Sequence, residues 1–288
     1  MEVELIQRSE EWLEFRKNRI GASDAPVIMG VSPWKTPYEL WQEKMGFLKT
    51  HETPAMRYGN EMEEVARHSY NRVKRDMYVP CVFVSDKYPW MIASMDGMTF
   101  DRKSGVEIKC PGKRDQEIAK AGKVPEHYYA QLQHQMSVCD LDQIDYYSFD
   151  GNEGLLITVK KDDGYITSLI EKEQEFYDCL INFKEPELTD RDYTQRYDPE
   201  WEDTATRWIA VRDVMDSLKK EEDELREKLI SLSGGLNAKG SGVKLKSYFK
   251  LGAIDYRSIP ELSQVDLERY RKNPSICHRL SKTQHKEL

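Results

Sequence analysis

The sequence predicts an α/β domain, with a central mixed sheet flanked by helices, followed by a helical arm and a small β-hairpin extension. Three observations carry this. Amphipathic helical patterns alternate with short β-prone runs through residue 183, a polar connector over 186–199 stops the alternation, and one long apolar repeat of three, four and seven fills 201–233. The expected organisation is a core over 1–190, an arm over 191–235 and a basic extension over 236–288.

The first helix is expected over 9–19, with Trp12, Phe15 and Ile20 inward. Ser23 is expected to cap a short helix with Pro26 in its first turn, stopping at Gly30. Thr36-Pro37-Tyr38-Glu39 reads as a capping box, and Gly46 ends the helix it opens. A longer helix follows over 56–74. The apolar run 77–84 and a hairpin over 91–100 and 105–110 start the sheet. Helices over 114–121 and after Pro125, strands over 143–149 and 154–160 around the turn residues Asp150-Gly151-Asn152, and a helix over 165–183 complete the core. Gly234-Gly235 ends the arm; "GVKLKSYFKLGAIDY" is expected to form the hairpin, and 265–271 a last short helix.

A chain of 288 residues with 39% hydrophobic and 10% aromatic residues is long enough for a substantial core. No apolar run approaches a membrane span and the N-terminus lacks a signal-peptide pattern, so a cytoplasmic protein without membrane contact is expected. Cys81, Cys110, Cys139, Cys179 and Cys277 form no CxxC pair, which argues against zinc or iron–sulfur sites; they are expected to be reduced and mostly buried. The net charge of −8 is uneven: 24 Lys+Arg face 34 Asp+Glu over 1–190, whereas 239–288 holds 11 against 5. A basic tail beside an acidic body fits local DNA contact and fits a soluble surface equally.

The chemistry concentrates in "IASMDGMTFDRKSGVEIKC". Residues i and i+2 of a strand share a face, so Glu107 and Lys109 point together while Ile108 turns to the core; Asp96 faces them from the neighbouring strand. Two converging carboxylates repel unless a cation lies between them, and a hard divalent ion such as Mg2+ takes oxygen ligands together with substrate phosphates. Asp96, Glu107 and the Ile108 backbone carbonyl are the expected ligands, with Lys109 holding the attacking water. Asp-Gly is also a common turn pair, and Glu-x-Lys an ordinary exposed strand face.

A further glutamate is expected nearby, and Glu61, Glu63 and Glu64 stay open as candidates. Gln131 and Gln135, one helical turn apart, carry amides able to donate to a phosphate oxygen or a water. His127 and His134 read as packed or surface histidines. Arg16, Arg19 and Ser23 bracket a turn suited to a phosphate, or to a capped surface helix. No GxxxxGK[ST] loop or Gly-x-Ser-x-Gly elbow is present.

With these residues in place, the chain resembles the YqaJ-like viral recombinase family, which includes lambda exonuclease, within the PD-(D/E)xK nucleases. The resemblance covers roughly 8–185 through four ordered blocks: "RIGASDAPVIMGVSPWKTPYELWQEKMG", "YGNEMEE", "ASMDGMTFDRKSGVEIKCP" and "YYAQLQHQM". It implies a restriction-endonuclease-like core and a Mg2+-dependent 5'-to-3' exonuclease, with Mn2+ able to substitute. Such an enzyme acts on double-stranded DNA ends and leaves a 3' tail for a single-strand annealing protein. It further implies catalytic roles for Asp96, Glu107, Lys109, Glu63 and Gln131, a 5'-phosphate site at Arg16, Ser23 and Ser94, and a homo-oligomer of ring form. Met95 departs from the family's proline without removing a ligand. The alternatives are an endonuclease of restriction or repair on the same fold, and a non-catalytic DNA-binding or scaffold protein.

Overall fold

The computed structural model describes residues 1–49, 51–265, 270, 272 and 279–282. They fall into two compact units, Met1–Thr194 and Gln195–Leu288.

The first unit is built on a seven-stranded mixed sheet. Its strands are β1 (Glu2–Val3), β2 (Ile20–Gly21), β3 (Val79–Val84), β4 (Met91–Met98), β5 (Gly105–Lys109), β6 (Gln143–Phe149) and β7 (Gly154–Lys160). The main order is β1-β3-β4-β5-β6-β7, with β2 pairing alongside β4. Pairing is antiparallel except for β2–β4 and the central β5–β6. Its helices are α1 (Glu10–Lys17), α2 (Ala25–Ile28), α3 (Pro37–Lys44), α4 (Pro54–Lys74), α5 (Lys113–Lys120), α6 (Glu126–Cys139) and α7 (Asp163–Ile181).

Period-two alternation divides the core between the two sheet faces. On one face Met91, Ala93 and Met95 of β4 and Ile144 and Tyr146 of β6 pack with Leu132 and Met136 of α6 and Phe176 of α7. On the other, Val106 and Ile108 of β5 and Tyr147 and Phe149 of β6 pack with Ala66 and Tyr70 of α4. That second face also buries Asp145, which accepts from Tyr70 Oη (2.7 Å), Lys74 Nζ (3.0 Å) and Thr158 Oγ1 (2.7 Å). A buried carboxylate so fully partnered avoids most of the desolvation cost of an isolated charge.

Local signals set most boundaries. Ser9 caps α1 by accepting from Trp12 N, Thr36 and Glu39 form their capping box on α3, and Thr53 caps α4, which starts two residues earlier than expected. Three expectations are corrected. Ile20 does not lie on the first helix but opens β2, a two-residue strand too short for periodicity to reveal. The N-cap of α2 is Asp24, not Ser23, and its carboxylate turns back to accept from Gly21 N at 2.9 Å. Gly97 lies within β4, inside the strand expected over 91–100, and a Cβ there would come within 2.8 Å of both Tyr78 Cβ and Val106 Cγ1. Of the cysteines, only Cys81 among the described ones is buried; Cys110, Cys139 and Cys179 are free and partly exposed, and Cys277 lies outside the described residues.

The second unit begins with α8 (Pro199–Leu232), capped by Asp198, none of whose residues is buried. A hairpin of β8 (Ala238–Gly240) and β9 (Val243–Leu245) follows. It lies earlier than expected, because Ser241 (φ 46°) and Gly242 (φ 80°) supply the two left-handed positions of a tight turn. Of the last expected helix, 266–269 and 271 lie outside the described residues.

Candidate active site

The β4–β5 ladder pairs Gly97 with Val106 and Met98 with Gly105, then stops. Beyond it the strands part, and the Asp96 side chain spans the gap, with Oδ2 accepting from Ile108 N at 2.8 Å. Ile108 packs under α4, so Glu107 and Lys109 turn to the α6 side.

Glu107 is buried and fully partnered. Lys109 Nζ and Gln131 Nε2 each lie 2.5 Å from Oε1, and Gln135 Nε2 lies 2.5 Å from Oε2 while also donating to the Ser94 carbonyl at 3.2 Å. The helical spacing of four puts both glutamines over the same carboxylate. Lys109 Nζ also lies 5.4 Å from the centre of the Tyr128 ring. Burial opposes the Lys109 charge, but Glu107 and Asp96 outweigh it and raise its pKa.

Asp96 is in the opposite position. Burial first, then the charges of Glu107 and Glu63, push its pKa well above the ordinary carboxylate range; Lys109 and the Ile108 N–H offset this only in part. This carboxyl group is short of positive charge.

Among the three glutamates left open by the sequence, Glu63 faces inward, its side chain 16% exposed, whereas Glu64 is 75% exposed. It pairs with Arg8 and lies 3.4 Å from Arg67, which also donates to the Asp96 carbonyl at 3.2 Å. Arg8 and Arg67 had no signal in the sequence beyond the spacing of four between Glu63 and Arg67. Arg8 is brought in by a left-handed residue (φ 70°) in the loop before α1.

A second cluster adjoins this one. Arg16 donates to Ser23 Oγ (2.9 Å) and Asp24 Oδ1 (3.3 Å) and lies over the Trp12 ring, whose Nε1 donates to Ser94 Oγ at 3.0 Å. Arg16, Ser23 and Ser94 are thus joined through Trp12, which the sequence reading placed only in the core. Arg19 points elsewhere, to the Phe15 ring and carbonyl. His134 is fully buried between Glu173 (2.7 Å) and the Ile92 carbonyl (3.0 Å), a packed histidine as expected. His127 Nε2 lies 3.3 Å from Asp115.

The donor set fits a hard cation. Asp96 and Glu107 offer oxygen, Glu63 adds negative charge, and the raised pKa of Asp96 is the penalty that a cation would remove. Among the described residues no group of three or more His, Cys, Asp or Glu is placed to hold a metal ion, so the protein alone would supply only part of its coordination.

Residues 11–142 match the model of the YqaJ-like viral recombinase domain. The chain is 27% identical over 199 residues to the uncharacterised protein YqaJ of Bacillus subtilis, spanning 65% of this chain and 61% of that protein. It is 25% identical over 207 residues to the uncharacterised protein R354 of Acanthamoeba polyphaga mimivirus, spanning only 37% of its length. Among solved structures, the alkaline exonuclease LHK-Exo of Laribacter hongkongensis has a similar fold. It superposes with a TM-score of 0.54 at 24% identity over 61% of this chain and 94% of that one. That similarity establishes a shared fold.

Proposed function

Since residues 11–142 carry a YqaJ-like viral recombinase domain, we propose that this chain is a divalent-metal-dependent deoxyribonuclease. Its action is that of a 5'-to-3' exonuclease on linear double-stranded DNA, leaving a 3' tail for strand annealing. The observation that carries the reading is the electrostatic imbalance at the end of the β4–β5 ladder: Asp96 and Glu107 converge, and the positive groups present satisfy Glu107 but not Asp96.

Asp96, Glu107 and the Ile108 carbonyl hold Mg2+ or Mn2+ in this proposal. The ion supplies Lewis-acid polarisation of the phosphate and a more acidic water. Lys109, fixed by Glu107 and lying over Tyr128, orients the attacking water and stabilises charge that builds on the phosphate oxygens. Gln131 and Gln135 keep the Glu107 carboxylate in one orientation, and Gln131 is placed to donate to the substrate. Arg67 ties Glu63 to the Asp96 backbone and holds the far wall of the site. Arg16 and Ser23, with Ser94 bridged by Trp12, receive the terminal 5'-phosphate; the guanidinium and two hydroxyls match its oxygens. Self-association into a ring and recruitment of an annealing protein are proposed on the resemblance alone.

A linear duplex labelled separately at its 5' and 3' ends, with 5'-phosphate or 5'-hydroxyl termini, tests the reading with and without Mg2+. Release of 5'-labelled nucleotides first, only with metal and faster from phosphorylated ends, is expected. Cleavage of covalently closed circles would replace the exonuclease with an endonuclease on the same fold, and no cleavage of any DNA would overturn the nuclease reading.

A further inference from the structure

Trp34 lies in the loop between α2 and α3 with 67% of its surface exposed, yet that loop is firmly braced. Buried Ser32 accepts through Oγ from the backbone N–H groups of Trp34 and Lys35, each at 3.3 Å. From the segment after α7, Arg191 donates to the Ser32 carbonyl (2.8 Å) and the Pro33 carbonyl (3.1 Å), and Asp192 accepts from Thr36 Oγ1. A surface loop of this length usually gains its tolerance from mobility and small polar residues. Here a chain of hydrogen bonds holds a large indole out in water.

Two further rings connect that indole to the active centre. The Trp34 and His127 rings meet edge to face with centroids 4.7 Å apart, and His127 meets Tyr128 at 4.2 Å. Tyr128 in turn lies under the Lys109 ammonium. The rings form a continuous path from solvent to the amine beside Glu107. Bases on a stacked strand repeat every ~3.4 Å, so the path spans at most about four base steps. His127 packs against Trp34 on one side, and two thirds of the indole surface is open to solvent.

Stacking of a base on an aromatic ring is strong and tolerant of sequence, because every base has a π-face. We infer that Trp34 is a stacking shelf for an unpaired base of the DNA strand whose phosphate is held at Asp96, Glu107 and Lys109, an inference that rests on the nuclease reading above. The bracing by Ser32, Arg191 and Asp192 prepays the ordering of the shelf, which then positions the strand without choosing among bases. Trp34 acts on substrate placement and takes no part in proton transfer.

The test uses the full chain and a linear duplex carrying the fluorescent base 2-aminopurine at each terminal position in turn. Binding is read without metal, and cleavage is read separately with Mg2+. Quenching of 2-aminopurine at one or more terminal positions is expected for the wild type and for Trp34→Phe. It should be lost in Trp34→Ala and in Trp34→Leu, with KM for the linear duplex raised about tenfold and kcat nearly unchanged. The leucine variant keeps an apolar body against His127 without a π-face, so it decides the question if the alanine variant folds poorly. Quenching by Trp34→Leu equal to the wild type, or no quenching by the wild type at any position, overturns the shelf. Trp34-dependent quenching without cleavage sustains the shelf and rejects the nuclease; cleavage with Trp34-independent quenching does the reverse.

Discussion

Asp24 and Asp96 lie in the same unit, are both drawn inward, and are driven by their neighbours in opposite directions. Burial raises the pKa of each. At Asp24 the cations Lys44, with Nζ 2.8 Å away, and Arg16 outweigh burial and hold the carboxyl at about 2. At Asp96 the charges of Glu107 and Glu63 reinforce burial, and Lys109 offsets them only in part. The first pocket stabilises the fold and the second weakens it in return for a place where a cation is favoured. A strained, charge-deficient site beside a satisfied one is what a functional site in a stable scaffold requires.

The largest effect that would sharpen this contrast is on turnover. Lys109→Ala should lower DNA cleavage by about 10³-fold or more while DNA-end binding persists, since the group acts on the reacting phosphate. Rates under single-turnover conditions against binding isotherms check this, and retained cleavage would remove Lys109 from the mechanism.

Removing the other carboxylate should act on folding instead. Asp24→Ala leaves Lys44 and Arg16 without their buried partner and strips Gly21 N of its acceptor. A loss of about 3–4 kcal/mol is expected in chemical denaturation.

Titration offers a milder version of the same break. The folded pKa of Asp24 lies below its unfolded value of 3.8, so as pH falls the unfolded chain takes up the proton first. The stabilisation is complete above about pH 4 and gone below about pH 2, a difference of roughly 2 kcal/mol. Asp24→Asn should lack this acid-dependent component, and an unchanged acid profile would show that the Asp24 carboxyl is not held low in the folded protein.

The smallest effect is expected at Asp96, with the sign reversed. A raised folded pKa means stability is lost as pH rises through it, so at neutral pH Asp96→Asn should modestly stabilise the metal-free protein. Mg2+ should raise the melting temperature of the wild type by mass action and that of Asp96→Asn far less. Equal responses in thermal melts would place the cation elsewhere.

The two pockets also differ in how far they could be read in advance. Asp96, Glu107 and Lys109 announced themselves because a hairpin turns sequence spacing directly into facing positions, and strand alternation fixes which side each residue takes. Asp24 gave no signal of its role, because Lys44 is twenty residues away on another helix and Arg16 on a third. The choice of Glu63 over Glu61 and Glu64 likewise needed α4 to be docked, since helical spacing shows that residues share a face and not which face meets the sheet. Gln131 and Gln135 were recognisable as a pair from their spacing, yet their common partner Glu107 was not.

Sequence alone determined the alternation of helices and strands, the cap at Thr36, the bounds of β6 and β7, and the residues from which a metal site would be made. Those features depend on local torsions, periodicity and capping within a few residues. Tertiary packing decided the strands β1 and β2, the cap at Asp24, the convergence of Arg8 and Arg67 on Glu63, and the exposed position of Trp34. Each of these depends on groups far apart in the chain, whose meeting is fixed only when the sheet and its two layers close around a shared core.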